Sequence, residues 1–455
     1  MTRTVKRILW STFSLAALLI LSLAFFFGWR INLEHNLNAE LRAIYSAGLP
    51  ASGTELNDWY SKVPDSQNAA LVMTQALAMM REFPASDVRS NEFADFRTPG
   101  RTQPLSAKEK ELFSSCLEMN ASALSKMREA IKLPKSRYPI DFSLGIYYQL
   151  PHLAPLKHLA RMEEFQALLD LDATNLPAAN IAIENILGMA TTLDSEPVVI
   201  SWIVRNGMVL SATTVLERRL NSGPATADEL AGLTSAFGPS EKTNLLARTL
   251  IAHRAIAIPY FRLTWANVRE QAKADGDPEA IEIPASNTEP LLFRISGVYE
   301  RDLLFYLTIM RTNIVLASLP PPGSFAIVTN KGPYTEMKRK HYALSEMFYP
   351  ESSGAVFVEA KSLATSRLAN TAIAIEQFRL AKGYLPENLA TLTPKFLPEV
   401  PIDPFDGQPL RYRRLDKGYM VYSIGKDRRD HGGRERPPDH SINDVGFDIT
   451  FTVER

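Results

Sequence analysis

Apolar residues recur at helical intervals over most of this chain. Leu33, Leu37, Leu41 and Ile44 form one stripe, three or four residues apart, so 31–45 reads as an amphipathic helix. A break at Gly48-Leu49-Pro50 follows, then a short helix from Thr54 and a longer one begun at Pro64-Asp65. Asp65 is placed to accept from the free amides of that first turn. After a polar link over 83–104, Ser106 and Glu109 take capping-box spacing ahead of a helix over 108–131, marked by Leu112, Leu117, Leu124 and Met127. Further helices are predicted around Leu156–Leu169 and Ile181–Met189, and over 198–220, 230–237 and 245–258. They are punctuated by Asn175-Leu176-Pro177, Glu196-Pro197, Gly223-Pro224 and Gly238-Pro239. Short links favour antiparallel neighbours. No Trp-Leu-Gly-Tyr-type signature recurs at fixed spacing, so the pattern predicts an irregular helical array rather than a tetratricopeptide solenoid.

Residues 273–290 read as a polar surface loop. The helix over 291–319 holds a nearly unbroken apolar run at 303–310. Arg294, Glu300, Arg301, Asp302 and Arg311 interrupt it, which predicts a buried helix and not a second membrane span. Pro320-Pro321-Pro322-Gly323 ends it. A last helix spans 354–381, and two short strands, 409–415 and 418–424, are joined by a tight turn at Asp416-Lys417.

One stretch is apolar without periodicity. Residues 8–29 contain no charge, long enough at 1.5 Å per residue to cross a hydrocarbon core of about 30 Å. Arg3, Lys6 and Arg7 precede it, which predicts a cytoplasmic N-terminus, and Trp10 and Trp29 stand near its two ends. Ala24-Phe25-Phe26-Phe27-Gly28 offers no small-residue cleavage site, so an uncleaved anchor is expected.

Composition narrows the partners. The 455 residues are too many for one ordinary domain. Fifty basic residues balance fifty acidic ones, so no field of one sign draws in nucleic acid, and none is expected as a partner. The single cysteine, Cys116, excludes an internal disulfide and reads as a buried small side chain. No zinc-protease helix, nucleophile elbow, phosphate loop or dinucleotide fingerprint occurs. His152 and His158 are six residues apart with Pro155 between, a poor metal pair, and His253 reads as structural. Arg137, Tyr138 and Asp141 lie in a break between helices, with His152 nearby. This cluster reads either as a loop fixed by an Arg137–Asp141 ion pair or as a pocket in which Arg137 clamps an anion.

The C-terminal residues carry a resemblance. Val400-Pro401-Ile402-Asp403-Pro404-Phe405-Asp406-Gly407-Gln408-Pro409-Leu410-Arg411-Tyr412, then Tyr419-Met420-Val421-Tyr422-Ser423-Ile424-Gly425, preceded by a helix ending at Gly383-Tyr384-Leu385-Pro386, resemble the globular head of type II secretion major pseudopilins. Ser136–Phe142 followed by Leu150–Ala154 is similar to a segment of a family of uncharacterised bacterial membrane-anchored proteins with such a tail. The resemblance implies a small α+β module and an envelope location, with no activity attached. It further implies a calcium site in the loop after the Tyr-Ser strand, with Asp427 and Asp444 the matching ligands; no other cofactor is indicated. Lys426, Arg428, Arg429, Arg434 and Arg436 depart from the acidic family loop and weaken a divalent site. Nothing in 1–29 matches a pseudopilin leader, so assembly into a pilus is not expected.

The expected architecture is mainly α: an N-terminal transmembrane helix (1–30), an irregular α-helical region (31–350) and an α+β pseudopilin-like module (351–455) that folds independently. The expected role is a binding or scaffold protein with protein partners. It would be held in the bacterial inner membrane by one helix, with the bulk of the chain periplasmic. An envelope hydrolase using Arg137, Asp141 and His152 is the alternative.

Overall fold

The computed structural model describes residues 3–241, 244–262, 295–329, 332–350, 352–437 and 445–455. The chain is mainly helical, with a small antiparallel sheet near its end. The loop expected at 273–290 lies outside the described residues.

The first helix runs unbroken from Arg3 to Ser46. Its apolar section has a mean hydropathy of 2.0, and none of it is buried against the protein. So large an exposed apolar band is unfavourable in water; it is compatible with a membrane anchor, and a signal sequence shares these properties. Beyond Trp29 the same helix becomes part of the body. Leu33, Leu37, Leu41 and Ile44 are buried, as their spacing predicts, against the helix Val298–Ala317. Ion pairs bracket that contact: Arg30 to Glu300 at 2.9 Å and Arg311 to Glu40 at 3.1 Å. The partner helix is buried through Leu303, Tyr306, Leu307 and Met310, as the charges interrupting its apolar run predict.

Three consecutive helices, Leu153–Asp172, Leu176–Thr191 and Val199–Ser222, pack in sequence and form the centre of the body. Val199–Ser222 is long and apolar enough to cross a membrane, yet more than half of that stretch is buried in protein. It also carries interior arginines. Arg205 reaches Asp194 at 2.6 Å, and Arg219 reaches Asn180 at 2.9 Å and Glu229 at 3.3 Å. Buried charges are tolerated because each is paired.

Local details differ from expectation in three places. The link read over 83–104 contains a helix, Val88–Asp95, capped by Asp87. The helix expected over 108–131 is two helices, Ala107–Met119 and Ala121–Ala130, separated by the buried Asn120. Its side chain accepts from the Arg81 amide at 2.8 Å and donates to the Arg81 carbonyl at 3.1 Å, so it pins the link that crosses above. The cap expected at Asp65 is taken by Asn68, whose side-chain Oδ1 accepts from Ala70 N as helix Ala69–Ala78 begins; Asp65 opens a short 3₁₀ turn. The Ser106/Glu109 capping box forms as read.

The chain ends in helix Ser352–Lys382 and three strands: β1 (Arg411–Arg414), β2 (Tyr419–Ser423) and β3 (Ile449–Val453), in spatial order β1-β2-β3, all antiparallel. Arg411 pairs with Tyr422 and Arg414 with Tyr419 across the hairpin. Gly418 closes the turn at φ +85°, and a side chain there would strike the Val453 carbonyl. β3 was not foreseen: no turn signal joins it to β2.

Beneath the hairpin, Asp403 is fully buried. It accepts from Phe405 N (3.0 Å), Ser423 Oγ (2.8 Å), Ile424 N (2.9 Å) and Arg411 (2.7 Å). One carboxylate thereby ties the Pro401–Pro404 segment to both strands. The tail shares its core with the helical region: Ile373, Ile375, Phe378, Val421 and Phe451 belong to one apolar cluster with Leu156, Phe165, Leu216 and Leu233.

Candidate functional site

The site singled out in the sequence begins in the extended segment after helix Ala121–Ala130. Here Lys135 makes an isolated parallel bridge with Asn68. Asn68 clamps the segment further, accepting from Arg137 N at 2.8 Å and donating to Arg137 O at 3.0 Å. The short helix Gly53–Trp59 lies directly on the following residues. A Cβ at Gly53 would fall 1.9 Å from the Phe142 carbonyl oxygen, so only glycine permits this approach.

Arg137 and Asp141 both serve this contact. The Arg137 guanidinium lies 4.5 Å over the Tyr60 ring and donates to the carbonyls of Tyr60 and Asn57, the latter at 2.8 Å. Asp141 accepts from the Asn57 side chain at 2.8 Å, Ser143 N at 2.9 Å and Ser143 Oγ at 2.6 Å. The Ser143 hydroxyl, the Asn57 amide and the Ser143 backbone amide hold its carboxyl below the usual range. The two residues therefore meet at Asn57 and pair with it, not with each other.

His152 is turned the other way. It is buried, stacked on Tyr138 with ring centres 3.9 Å apart, and its Nε2 lies 3.0 Å from Glu196 Oε2. Glu196 also accepts from the Ser201 hydroxyl. Tyr138 O–H meets Thr192 Oγ1 at 3.2 Å, and its amide donates to the Tyr60 hydroxyl at 3.2 Å. Burial, reinforced by the Glu196 charge, pushes both Tyr60 and Tyr138 well above the ordinary phenol value. Arg137, Asp141 and His152 thus do not converge on one space: the tyrosine rings separate the surface pair from the buried histidine. Glu196, the partner that matters to His152, is 44 residues away in sequence, and nothing in its local pattern marks it.

An open cleft of about 610 Å³ adjoins this cluster, lined by Lys62, Lys132, Lys135, Ser136, Thr192 and Ser195 among others. The carboxylate in its lining, Asp194, is held by Arg205. Lys62 pairs with Asp58 at 3.2 Å. The cleft consequently offers exposed ammonium groups to a ligand, while the Thr192 and Ser195 hydroxyls are taken up by the Met189 and Ser136 carbonyls. Neither His152 nor Glu196 is in its wall.

The other sequence candidates are in the tail. Asp427 Oδ1 accepts from Arg429 N at 3.1 Å; Oδ2 accepts from Gly446 N at 3.0 Å and meets His431 Nε2 at 2.9 Å. Burial works to raise this carboxyl, yet the His431 and amide hydrogen bonds hold it below the usual range. Both oxygens of this carboxylate are thus engaged by N–H groups of its own loop, which they fasten. Asp444 lies outside the described residues. Among the described residues, no three His, Cys, Asp or Glu side chains are grouped to hold a metal ion. His253 donates or accepts at the Phe348 carbonyl, 2.7 Å away, in a structural contact. Asp403, the best-connected carboxylate of the tail, was passed over because its partners come together only when β1 and β2 pair.

No family model, curated protein or solved structure matches the chain. The functional reading rests on the chemistry of these residues.

Proposed function

We propose that this chain is a membrane-anchored binding or scaffold protein of the bacterial envelope, with its cleft beside Thr191–Ser195 receiving an anionic group of a partner. The observation that carries the reading is the composition of that cleft. Lys132 and Lys135 present charge at its wall, and its carboxylate is neutralised by Arg205. Ammonium groups on flexible stems suit carboxylates and phosphates as point charges. An enzyme of the hydrolase class needs an acid and a base facing one open space. His152 and Glu196 are instead bonded to each other in the interior, which counts against that alternative.

The envelope location is supported by the exposed apolar helix and by Arg3, Lys6 and Arg7 ahead of it. The likeness of the tail to a pseudopilin head is supported by the order helix, loop, hairpin, and links the protein by analogy alone to secretion or surface assembly.

The test is a cross-linked pulldown from detergent-solubilised membranes, comparing the native chain with Lys132→Glu/Lys135→Glu. Both lysines are exposed and outside the core, so folding should be unaffected. Loss of the same bound partners from the double variant is the expected result. An unchanged set of partners would sink the proposal.

A further inference from the structure

A second, smaller cavity lies on another face of the first helices. It measures about 130 Å³, ample for an ion, and is lined by Cys116, Met119, His158 and Met162 together with Arg81 and Phe93. Cys116 and Met119 are three apart on helix Ala107–Met119. His158 and Met162 are four apart on helix Leu153–Asp172, and the two helices pack on each other. Each pair therefore shares one helix face. The spacing brings a thiol, two thioethers and an imidazole to a single space.

The surroundings suit a ligand set. His158 Nδ1 lies 3.2 Å from Glu82 Oε1. That contact places the ring proton on Nδ1 and leaves Nε2 with its lone pair, the arrangement by which a carboxylate orients a metal-binding histidine. The Phe93 ring meets His158 edge-on at 5.3 Å and continues into Phe165, so the wall behind is apolar. Cys116 is buried and unbridged.

We propose that this cavity binds one soft monovalent metal ion, of the Cu(I) or Ag(I) class, through Cys116, Met119, Met162 and His158. Thiolate and thioether sulfur select such ions over hard or borderline divalent ones. Binding is an exchange: the Cys116 S–H bond breaks, its proton leaves to solvent, and a sulfur–metal bond forms. One positive charge replaces another, so the net charge beside Arg81 is unchanged, whereas a divalent ion would leave a further positive charge beside that guanidinium. None of these residues belongs to the lysine-lined cleft.

The experiment titrates the detergent-solubilised full chain with Ag(I), and with Cu(I) under anaerobic reducing conditions, against a colorimetric chelator. A single tightly bound equivalent with a thiolate charge-transfer band is expected, unaffected by excess Zn(II). Cys116→Ala should remove the band, and Met162→Leu, which preserves volume, should weaken binding while leaving the thermal melt in place. Glu82→Gln should weaken it by roughly 10–100-fold through the histidine. Retention of the tight equivalent in Cys116→Ala, equal competition by Zn(II), or no binding at all would overturn the proposal.

Discussion

At the scale of single residues, buried carboxylates decide the most. Replacing Asp403 with alanine would leave the buried amides of Phe405 and Ile424 without an acceptor, while Arg411 keeps its pair with Asp406. Each buried donor left without a partner costs about 1–3 kcal/mol. A urea titration of Asp403→Ala should therefore show a large drop in midpoint, and a wild-type midpoint would mean the hub is dispensable. Glu359 acts through pH instead. It is buried in helix Ser352–Lys382, and its oxygens lie near the Leu246 amide without making a well-formed hydrogen bond. Desolvation lifts its carboxyl from 4.5 to about 7. The fold then holds this proton more tightly than the unfolded chain does. Its contribution is complete below about pH 4.5 and is lost as pH rises through about 7. Glu359→Gln should match the native protein at acid pH and exceed it near pH 8, by on the order of 3 kcal/mol at most. Part of the native slope should survive, because burial lifts Glu217 to about 7 as well. Equal stabilities at both pH values would contradict the assignment.

Among the elements, helix Ser352–Lys382 forms as read, within two residues at its start and one at its end, but packs on more neighbours than its own sheet. It packs on Val199–Ser222 and Ala227–Phe237 along one side and on β2 and β3 along another. Val356, Ala360, Leu368, Ala372, Ile375 and Phe378 are all buried. A helix with buried positions on several faces is an interior helix. We therefore expect the isolated fragment 352–455 to expose a broad apolar face and to give poor amide dispersion in a proton NMR spectrum; a well-dispersed spectrum would show that the sheet alone suffices. The periodicity of Leu33, Leu37, Leu41 and Ile44 was readable because one stripe faces one neighbour. The hairpin was readable because its turn lies between two short runs. The His152–Glu196 pair and β3 were not, because both depend on contacts between segments that carry no local mark. Arg137 and Asp141 were correctly grouped by sequence, but their meeting point, Asn57, sits 80 residues upstream of Arg137.

For the whole molecule, the proposed topology is open to direct test. A C-terminal alkaline phosphatase fusion should be active in cells, and the mature protein should retain residues 8–29. An inactive fusion, or an N-terminus beyond Trp29, would reject the anchor. The tail's melting behaviour in the full chain should be the same in calcium and in chelator, since the Asp427 oxygens already accept from N–H donors. A calcium-dependent rise would bring Asp444 back as a ligand.

The continuity of helix Arg3–Ser46 has a mechanical consequence. A flexible linker of ten residues would let the body wander by roughly 17 Å in any direction, from 5–6 Å × √n. A helix docked by Arg30–Glu300 and Arg311–Glu40 allows no such excursion. Were residues 8–29 to lie in the bilayer, as proposed, the body would lean and spin only as the anchor does. The lysine-lined cleft would then keep a fixed height and bearing above the lipid, and a partner diffusing in the same membrane would meet it by turning about one axis instead of three.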